Sequence, residues 1–124
     1  MRLLLDAHVL LWWFSSNPRL PKRARVAIEE CDAAYVSAAT AWEIAIKAAA
    51  RRLEFRGDLE EQLELNNFSP LPITVAHALL AAKLPRHHGD PFDRMLVAQA
   101  SLESLTLVTA DPQLAAYGVQ ILEA

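Results

Sequence analysis

The sequence predicts an α/β domain built on a central, mostly parallel sheet of four or five strands. Short apolar runs recur along the chain, and the first, residues 3–5, is typical of a strand buried on both faces of a sheet. Helical patterns separate these runs, as expected for parallel strands joined by right-handed crossovers. Hydrophobic residues make up 53% and charged residues 22% of the 124 residues, which indicates a globular domain.

Each element is predicted from a local pattern. We expect strands at 3–5, 35–37, 71–73 and 106–109, with a possible edge strand at 119–121. Helices are predicted at 21–30, 39–52, 59–65, 75–82 and 92–104, with a short one after Pro112. In the helix at 39–52, an apolar face is formed by Trp42, Ala45, Ile46 and Ala49.

Length and composition limit the class of protein. We expect residues 1–124 to form a single domain, because typical domains contain about 100–150 residues. The lone Cys31 cannot form an internal disulfide. Asp6 and His8 interrupt the apolar start of the chain, which therefore resembles neither a signal peptide nor a membrane span. A cytoplasmic protein is expected.

Four carboxylates occupy positions where an α/β fold brings side chains together. Asp6 and Asp111 follow strands, and Glu43 and Asp93 lie in the first turns of helices that come after strands. Ligand sites of open parallel sheets lie beyond the carboxyl ends of the strands. We therefore expect these four acids to converge at one edge of the sheet.

Each acid also has a purely structural interpretation. Residues 40–43 read as a capping box, and Asp90-Pro91 and Asp111-Pro112 have the pattern of an N-cap followed by proline. Capping alone does not require all these helices to begin at the same edge. Converging carboxylates repel one another unless a divalent cation compensates them, and a set of oxygen ligands suits Mg²⁺ or Mn²⁺.

Four segments, in this order, resemble PIN-domain ribonucleases of the VapC toxin type across the whole chain. They are Leu-Leu-Leu-Asp-Ala-His-Val at 3–9, Ser-Ala-Ala-Thr-Ala-Trp-Glu-Ile-Ala-Ile-Lys at 37–47, His-Gly-Asp-Pro-Phe-Asp-Arg-Met-Leu-Val-Ala-Gln-Ala at 88–100 and Leu-Val-Thr-Ala-Asp at 107–111. The resemblance implies a three-layer α/β/α PIN-like domain. It also implies an endoribonuclease toxin of a type II toxin-antitoxin system, dependent on Mg²⁺ or Mn²⁺, that forms homodimers and is inhibited by a VapB-type antitoxin.

The resemblance assigns the catalytic and metal-binding site to Asp6, Glu43, Asp93 and Asp111, with one or two ions. For Asp111 it leaves open whether the carboxylate holds a metal through water or only shapes the site. The family usually opens with Asp-Thr-His-Val, whereas Ala7 follows Asp6 here. Any role of the missing hydroxyl then passes to water or to Thr109.

Substrate binding is predicted at Thr109, Arg94 and Lys47. The net charge of -3 does not suggest a nucleic-acid binder, but removing the four site acids leaves 11 acidic against 12 basic residues. Basic clusters that could neutralise phosphates are Arg19, Lys22, Arg23 and Arg25, and Lys47, Arg51, Arg52 and Arg56.

Other functions are less well supported. The histidines lack the i,i+4 spacing of a zinc site, and no glycine-rich turn exposes a serine nucleophile. His8 stands where a haloacid-dehalogenase fold needs its second aspartate, and no acid pair of a response-regulator receiver is present. The alternative that stays open is a catalytically inactive PIN-fold module that binds RNA or protein.

Overall fold

The computed structural model describes residues 1–124, and strands alternate with helices along most of the chain. The elements are β1 (Arg2–Leu5), α1 (Ala7–Phe14), α2 (Lys22–Glu30), β2 (Ala33–Ser37), α3 (Ala38–Ala49), α4 (Leu59–Leu65), β3 (Phe68–Leu71), α5 (Val75–Lys83), α6 (Pro91–Glu103), β4 (Thr106–Thr109), a 3₁₀ helix (Pro112–Tyr117) and β5 (Ile121–Glu123). The strands form one sheet in the order β3-β2-β1-β4-β5, and every pair is parallel.

Strand β1 lies at the centre of the sheet and separates two apolar layers. Leu3 and Leu5 point to one side, where the core includes residues of α1, α2 and α3. Leu4 points to the other side and packs with residues of α6 and the 3₁₀ helix. Alternation along the strand therefore supplies both layers, since successive side chains of a strand face opposite sides. The outcome is a three-layer α/β/α arrangement.

Both edge strands differ in position from the sequence prediction. Strand β3 covers Phe68–Leu71 rather than 71–73, and it accommodates Pro70 because an edge strand has one free row of backbone groups. Strand β5 covers Ile121–Glu123 rather than 119–121. Gly118, with φ 79°, ends the 3₁₀ helix, and Gln120 still bonds to Leu107 through its carbonyl before the strand begins.

The start of α3 also differs from the prediction. Ser37, the last residue of β2, is the N-cap, and its hydroxyl accepts the Ala39 backbone N–H at 3.0 Å. The predicted capping box from Thr40 to Glu43 is therefore wrong. The strand passes directly into the helix, so Thr40 already lies within the first turn, where its backbone is helical.

The apolar face predicted on α3 faces solvent rather than the core. The side chains of Trp42 and Ile46 are 64% and 42% exposed, whereas the buried apolar residues of the helix are Ala39 and Ile44. Trp42 packs edge-on against Phe92 of α6, with ring centroids 5.5 Å apart. This protein's own chain leaves that face uncovered.

The aromatic residues at the end of α1 are covered by the chain itself. Trp13 and Phe14 pack against Phe68, Phe14 also contacts Phe55, and the Trp13 indole N–H donates to Asn66 Oδ1 at 3.0 Å. None of the helices combines the length and apolar character needed to cross a bilayer.

Candidate active site

The four predicted acids line one cavity of about 410 Å³ at the carboxyl edge of the sheet. Asp6 follows β1, Asp111 follows β4, and α3 and α6 contribute Glu43 and Asp93 from their N-terminal halves. Because β1 and β4 are adjacent and parallel, their carboxyl ends meet at the same place. Other charged residues of the lining are Arg19, Lys47 and Asp90.

Asp6 is the most deeply buried of these acids. Its side chain is the N-cap of α1 and accepts the Val9 N–H at 2.8 Å, and an interaction with the Thr109 hydroxyl lowers its pKa. Burial raises the pKa of Asp6, and the charge of Glu43 adds to this effect. The interactions with Val9 and Thr109 oppose the shift.

Asp93 lies in the first turn of α6, whose N-cap is Asp90. Burial and the negative charges of Asp90, Asp6 and Glu43 raise the pKa of Asp93 to about 7, while His88 acts in the opposite direction. A carboxyl group with this pKa is half protonated near neutral pH. The positive charges near Asp93 therefore do not compensate its burial and the neighbouring carboxylates.

Glu43 forms an ion pair with Lys47 one turn further along α3. Lys47 Nζ lies 2.8 Å from Glu43 Oε2, and both residues line the cavity. The glutamate is buried and the lysine is partly exposed, so the pair extends from the acidic centre toward solvent. An i,i+4 pair of this kind is common on helix surfaces. Here it lies in the cavity, so Lys47 places a cation at the edge of the acidic site.

Asp111 is the N-cap of the 3₁₀ helix and contacts a histidine that the sequence reasoning did not select. Its Oδ1 accepts the Gln113 N–H at 2.9 Å, and its Oδ2 lies 2.8 Å from His88 Nε2. The same ring nitrogen lies 3.5 Å from Asp93 Oδ2. The signal in the sequence was the position of His88 just ahead of Asp90-Pro91, where a loop rather than a helix presents the ring.

The donor set of the cavity fits a hard divalent cation. The available ligand atoms of Asp93 and Asp111 lie within 4.8 Å of each other and of the His88 ring, and Asp6 and Glu43 face the same cavity. Carboxylate oxygens are the ligands that Mg²⁺ and Mn²⁺ prefer. The raised pKa of Asp93 indicates repulsion among the carboxylates, and a bound cation would relieve this repulsion.

Comparison with known proteins identifies the family. The sequence matches the PIN domain family over residues 3–120. The chain belongs to the PIN domain family. It is 34% identical over 114 residues to "Ribonuclease VapC22" of Mycobacterium tuberculosis, an alignment that covers 90% of this chain and 88% of the relative.

Two solved structures confirm the predicted three-layer PIN fold. The FitAcB structure from Neisseria gonorrhoeae aligns with a TM-score of 0.72 at 24% identity, covering 98% of this chain and 96% of that one. A toxin-antitoxin complex from Klebsiella pneumoniae aligns with a TM-score of 0.68 at 22% identity, covering 97% and 95% of the two chains. At these identities the likeness concerns the fold alone.

Arg94 of this PIN domain does not point into the acidic cavity. Its guanidinium donates to the backbone carbonyls of Ala81, Leu84, Pro85 and His88 at 2.8–3.4 Å. The arginine thereby ties the loop between α5 and α6 to the first turn of α6. This placement provides no support for the predicted substrate-binding role of Arg94.

Most of the other basic residues predicted to neutralise phosphates lie outside the cavity. Arg19 lines the cavity of the PIN domain, whereas Arg23 pairs with Glu123 on the surface at 3.3 Å. Lys22 and Arg25 are absent from the lining, as are Arg51, Arg52 and Arg56. Thr109 is buried. Its hydroxyl lowers the pKa of Asp6 and accepts the backbone N–H of Asp111, so both of these contacts are within the protein.

Proposed function

We propose that this PIN domain is a metal-dependent endoribonuclease toxin that hydrolyses RNA phosphodiester bonds. The observation that carries the proposal is the convergence of Asp6, Glu43, Asp93 and Asp111 in one cavity at the carboxyl edge of the sheet. The similarity to a relative named as a ribonuclease over most of both chains supports the choice of RNA. An inactive binding module has no need for four converging acids with unfavourable mutual repulsion.

The four carboxylates would hold Mg²⁺ or Mn²⁺. Such an ion supplies Lewis acidity for phosphate oxygens and lowers the pKa of water for in-line attack. The chain prepares this site through hydrogen bonds: the Val9 N–H and the Thr109 hydroxyl orient Asp6, and Asp90 caps the helix that carries Asp93. These contacts limit the reorganisation required when a cation binds.

The walls of the cavity suit a single strand of RNA. Arg19 and Lys47 provide cations at the acidic centre, where they can offset phosphate charge. On the same lining, the rings of His8 and Trp12 lie 6.1 Å apart, and aromatic rings of this kind stack with unpaired bases. We assign Arg19 and Lys47 to the phosphates and Trp12 to a base.

The partner proposed for the toxin is a VapB-type antitoxin. Its support is the sequence resemblance to VapC toxins together with a structural neighbour that is described as a toxin-antitoxin complex. A segment of such a partner that covers the cavity would exclude RNA from the four acids. The chemistry of the cavity favours a basic segment, because the acids outnumber Arg19 and Lys47 in its lining.

A second copy of the chain is the proposed occupant of the uncovered apolar surface. The exposed apolar side chains of α3 are Trp42 and Ile46, and those of α5 are Val75 and Leu79, which are 75% and 58% exposed. Solvent exposure of large apolar side chains at helical spacing on two helices is typical of an oligomer interface. A homodimer would cover these side chains.

The proposed activity is tested by cleavage of single-stranded RNA by the purified protein. We expect cleavage with Mg²⁺ or Mn²⁺, none with EDTA, and none by Asp6→Asn or Asp93→Asn, because each variant removes a carboxylate ligand. Equal cleavage under all four conditions would contradict the metal site. Metal-independent RNA binding without cleavage under any divalent ion would favour the binding module instead.

Toxicity provides an independent test of the proposed role in the cell. Expression of the wild-type chain should arrest growth, whereas Asp6→Asn should be tolerated. Co-expression of the cognate antitoxin should restore growth of the wild type. Normal growth while active, folded enzyme accumulates would contradict the toxin assignment.

A further inference from the structure

We propose that His88 is a positioning residue that holds the Asp111 carboxylate in place for the cation and is not itself a ligand. This inference rests on the proposed metal-dependent function and adds a residue that the four-acid site does not include. It is carried by the hydrogen bonds around the imidazole ring and by the contacts of the His88 backbone.

The ring is held in one tautomer. The backbone N–H of Asp90 donates to His88 Nδ1 at 2.9 Å, so Nδ1 is an acceptor and the proton of the neutral ring is on Nε2. That Nε2–H then donates to Asp111 Oδ2 at 2.8 Å. A ring nitrogen that carries a proton has no lone pair for a metal, so His88 serves as a donor although its ring lies beside two carboxylates.

The backbone of His88 contacts the C-terminal end of the 3₁₀ helix, whose N-terminal end is capped by Asp111. Its N–H donates to the Tyr117 hydroxyl at 2.9 Å, and its carbonyl accepts from Arg94 Nη1 at 3.4 Å. Asp111 precedes the 3₁₀ helix and Tyr117 is its last residue. One histidine therefore connects both ends of this helix to the loop that leads into α6.

These contacts leave Asp111 with little freedom to rotate. The Gln113 N–H binds Oδ1 and the His88 Nε2–H binds Oδ2, so each carboxylate oxygen has one fixed donor. Each oxygen retains another lone pair for a cation. Donors of this kind orient metal-binding carboxylates and typically change metal affinity by about 10- to 100-fold when they are removed.

The tautomer is tested without metal by ¹⁵N–¹H correlation NMR of the imidazole rings in the metal-free protein, with His88→Gln to assign the signal. We expect His88 to carry its proton on Nε2, and the signal to retain that pattern when Mg²⁺ is added. A proton on Nδ1, or loss of the Nε2 proton on addition of the ion, would overturn the proposal because His88 would then act as a ligand.

Two substitutions of His88 test its two ring nitrogens separately: Nε2, which donates to Asp111, and Nδ1, which accepts from Asp90. His88→Gln places an amide N–H near the position of Nε2, whereas His88→Asn keeps an oxygen acceptor near the position of Nδ1 but does not reach Asp111. We expect His88→Asn to weaken Mn²⁺ binding, measured by electron paramagnetic resonance of the free ion, by about tenfold or more. His88→Gln should remain within about threefold of the wild type.

The outcomes distinguish this proposal from the proposed function. If the wild type binds Mn²⁺ and cuts RNA but His88→Asn binds Mn²⁺ equally well, the positioning role is wrong and the nuclease assignment stands. Equal weakening by both variants would also overturn the role, because the shape of the ring rather than its Nε2–H would then matter. If the wild type itself binds no Mn²⁺, the proposed function fails and the positioning role fails with it.

Discussion

Thr109 connects two of the candidate site acids through a single hydroxyl group. The hydroxyl accepts the backbone N–H of Asp111 at 3.1 Å, and its interaction with the Asp6 carboxylate lowers the pKa of Asp6. The two acids follow adjacent strands, β1 and β4, so the contact spans the sheet edge at which the cavity lies. Where the resembled family usually has a threonine after its first aspartate, this chain has Ala7, and Thr109 supplies a hydroxyl to Asp6 from the neighbouring strand.

Removal of this hydroxyl should weaken the fold and the site together. Thr109→Val keeps the shape of the buried side chain but leaves the Asp111 N–H without its acceptor, which costs about 1–3 kcal/mol of unfolding free energy. It should also raise the pKa of Asp6 further and reduce the activity at lower pH. Thr109→Ser retains the hydroxyl and is the control. Urea unfolding and pH profiles of cleavage measure both effects, and a Thr109→Val profile equal to that of wild type would contradict the role.

The pKa of Asp93 predicts how the stability of the metal-free protein changes with pH. Because the pKa of Asp93 is about 7 in the folded protein and 3.8 for an unperturbed aspartate, the folded protein binds this proton more tightly than the unfolded chain does. The resulting stabilisation is complete below the unfolded pKa, decreases as the pH rises from about 4 to about 7, and is absent above that range. Its upper limit is roughly 4 kcal/mol.

Asp93→Asn removes this ionisation and provides the measurement. In EDTA at pH 8 the variant should unfold at a higher urea concentration than the wild type, and the difference should shrink as the pH decreases. Cation binding to the wild type should weaken below pH 7, where protons compete for Asp93. A difference in stability that does not depend on pH would contradict the raised pKa.

Arg94 should contribute to stability through its hydrogen bonds to carbonyl groups at the end of α5 and in the loop that follows it. Arg94→Lys keeps the charge but cannot reach Ala81, Leu84 and Pro85 together, since an ammonium group lacks the planar fork of a guanidinium. We expect both Arg94→Lys and Arg94→Ala to lower the unfolding free energy by about 2–3 kcal/mol. Unchanged stability with an increase in KM alone would instead restore the predicted substrate-binding role.

Arg19 should be the basic residue of its cluster that contacts RNA. Arg19→Gln should weaken RNA binding at low salt and reduce the slope of log K against log salt concentration by about one. Arg25→Gln is the matched control, because Arg25 belongs to the same sequence cluster but does not line the cavity. Fluorescence anisotropy in EDTA measures binding without cleavage. Equal losses in the two variants would indicate a diffuse electrostatic surface rather than a contact.

The exposed face of α3 should control the oligomeric state. Ile46→Glu places a charge in the proposed interface and should convert a dimer into a monomer, as measured by size-exclusion chromatography with light scattering. Leu65→Glu changes an exposed leucine on α4 and is the control. A monomeric wild type, or a dimer that both variants retain, would show that this face is not the dimer contact.

The elements found from the sequence are those whose pattern is local. Residues 3–5 alternate between two apolar layers, and the N-cap and proline at Asp90-Pro91 begin α6 as predicted. The periodicity of α3 correctly indicated an apolar face but not what covers it, because Trp42 and Ile46 stay largely exposed even though Trp42 packs against Phe92. Edge strands were misplaced because pairing with a single neighbour, as for Pro70 in β3, imposes a weaker pattern than burial on both faces.

The same distinction applies to the candidate site. Each acid follows a recognisable strand end or helix start, so all four could be proposed from the sequence, and their functional roles stay predictions. For His88 the sequence offered only its position just ahead of Asp90-Pro91, and the contact with Asp111 could not be proposed because that partner lies 23 residues away. Arg94 was assigned to the substrate from its position beside Asp93, whereas in the folded chain its guanidinium binds carbonyl groups at the end of α5 and just after it.

The sequence by itself determined the α/β class, the order along the chain of the strands and of the helices other than α1, and the acids placed at strand ends and helix starts. These features depend on side-chain alternation and capping, which act over a few neighbouring residues. Only the tertiary structure decided that burial and neighbouring carboxylates raise the pKa of Asp93 to about 7, that Arg19 alone of its cluster reaches the cavity, and that His88 donates to Asp111. Burial, Coulomb interactions and hydrogen bonds depend on distances between residues far apart in the chain, and those distances exist only after the sheet has formed.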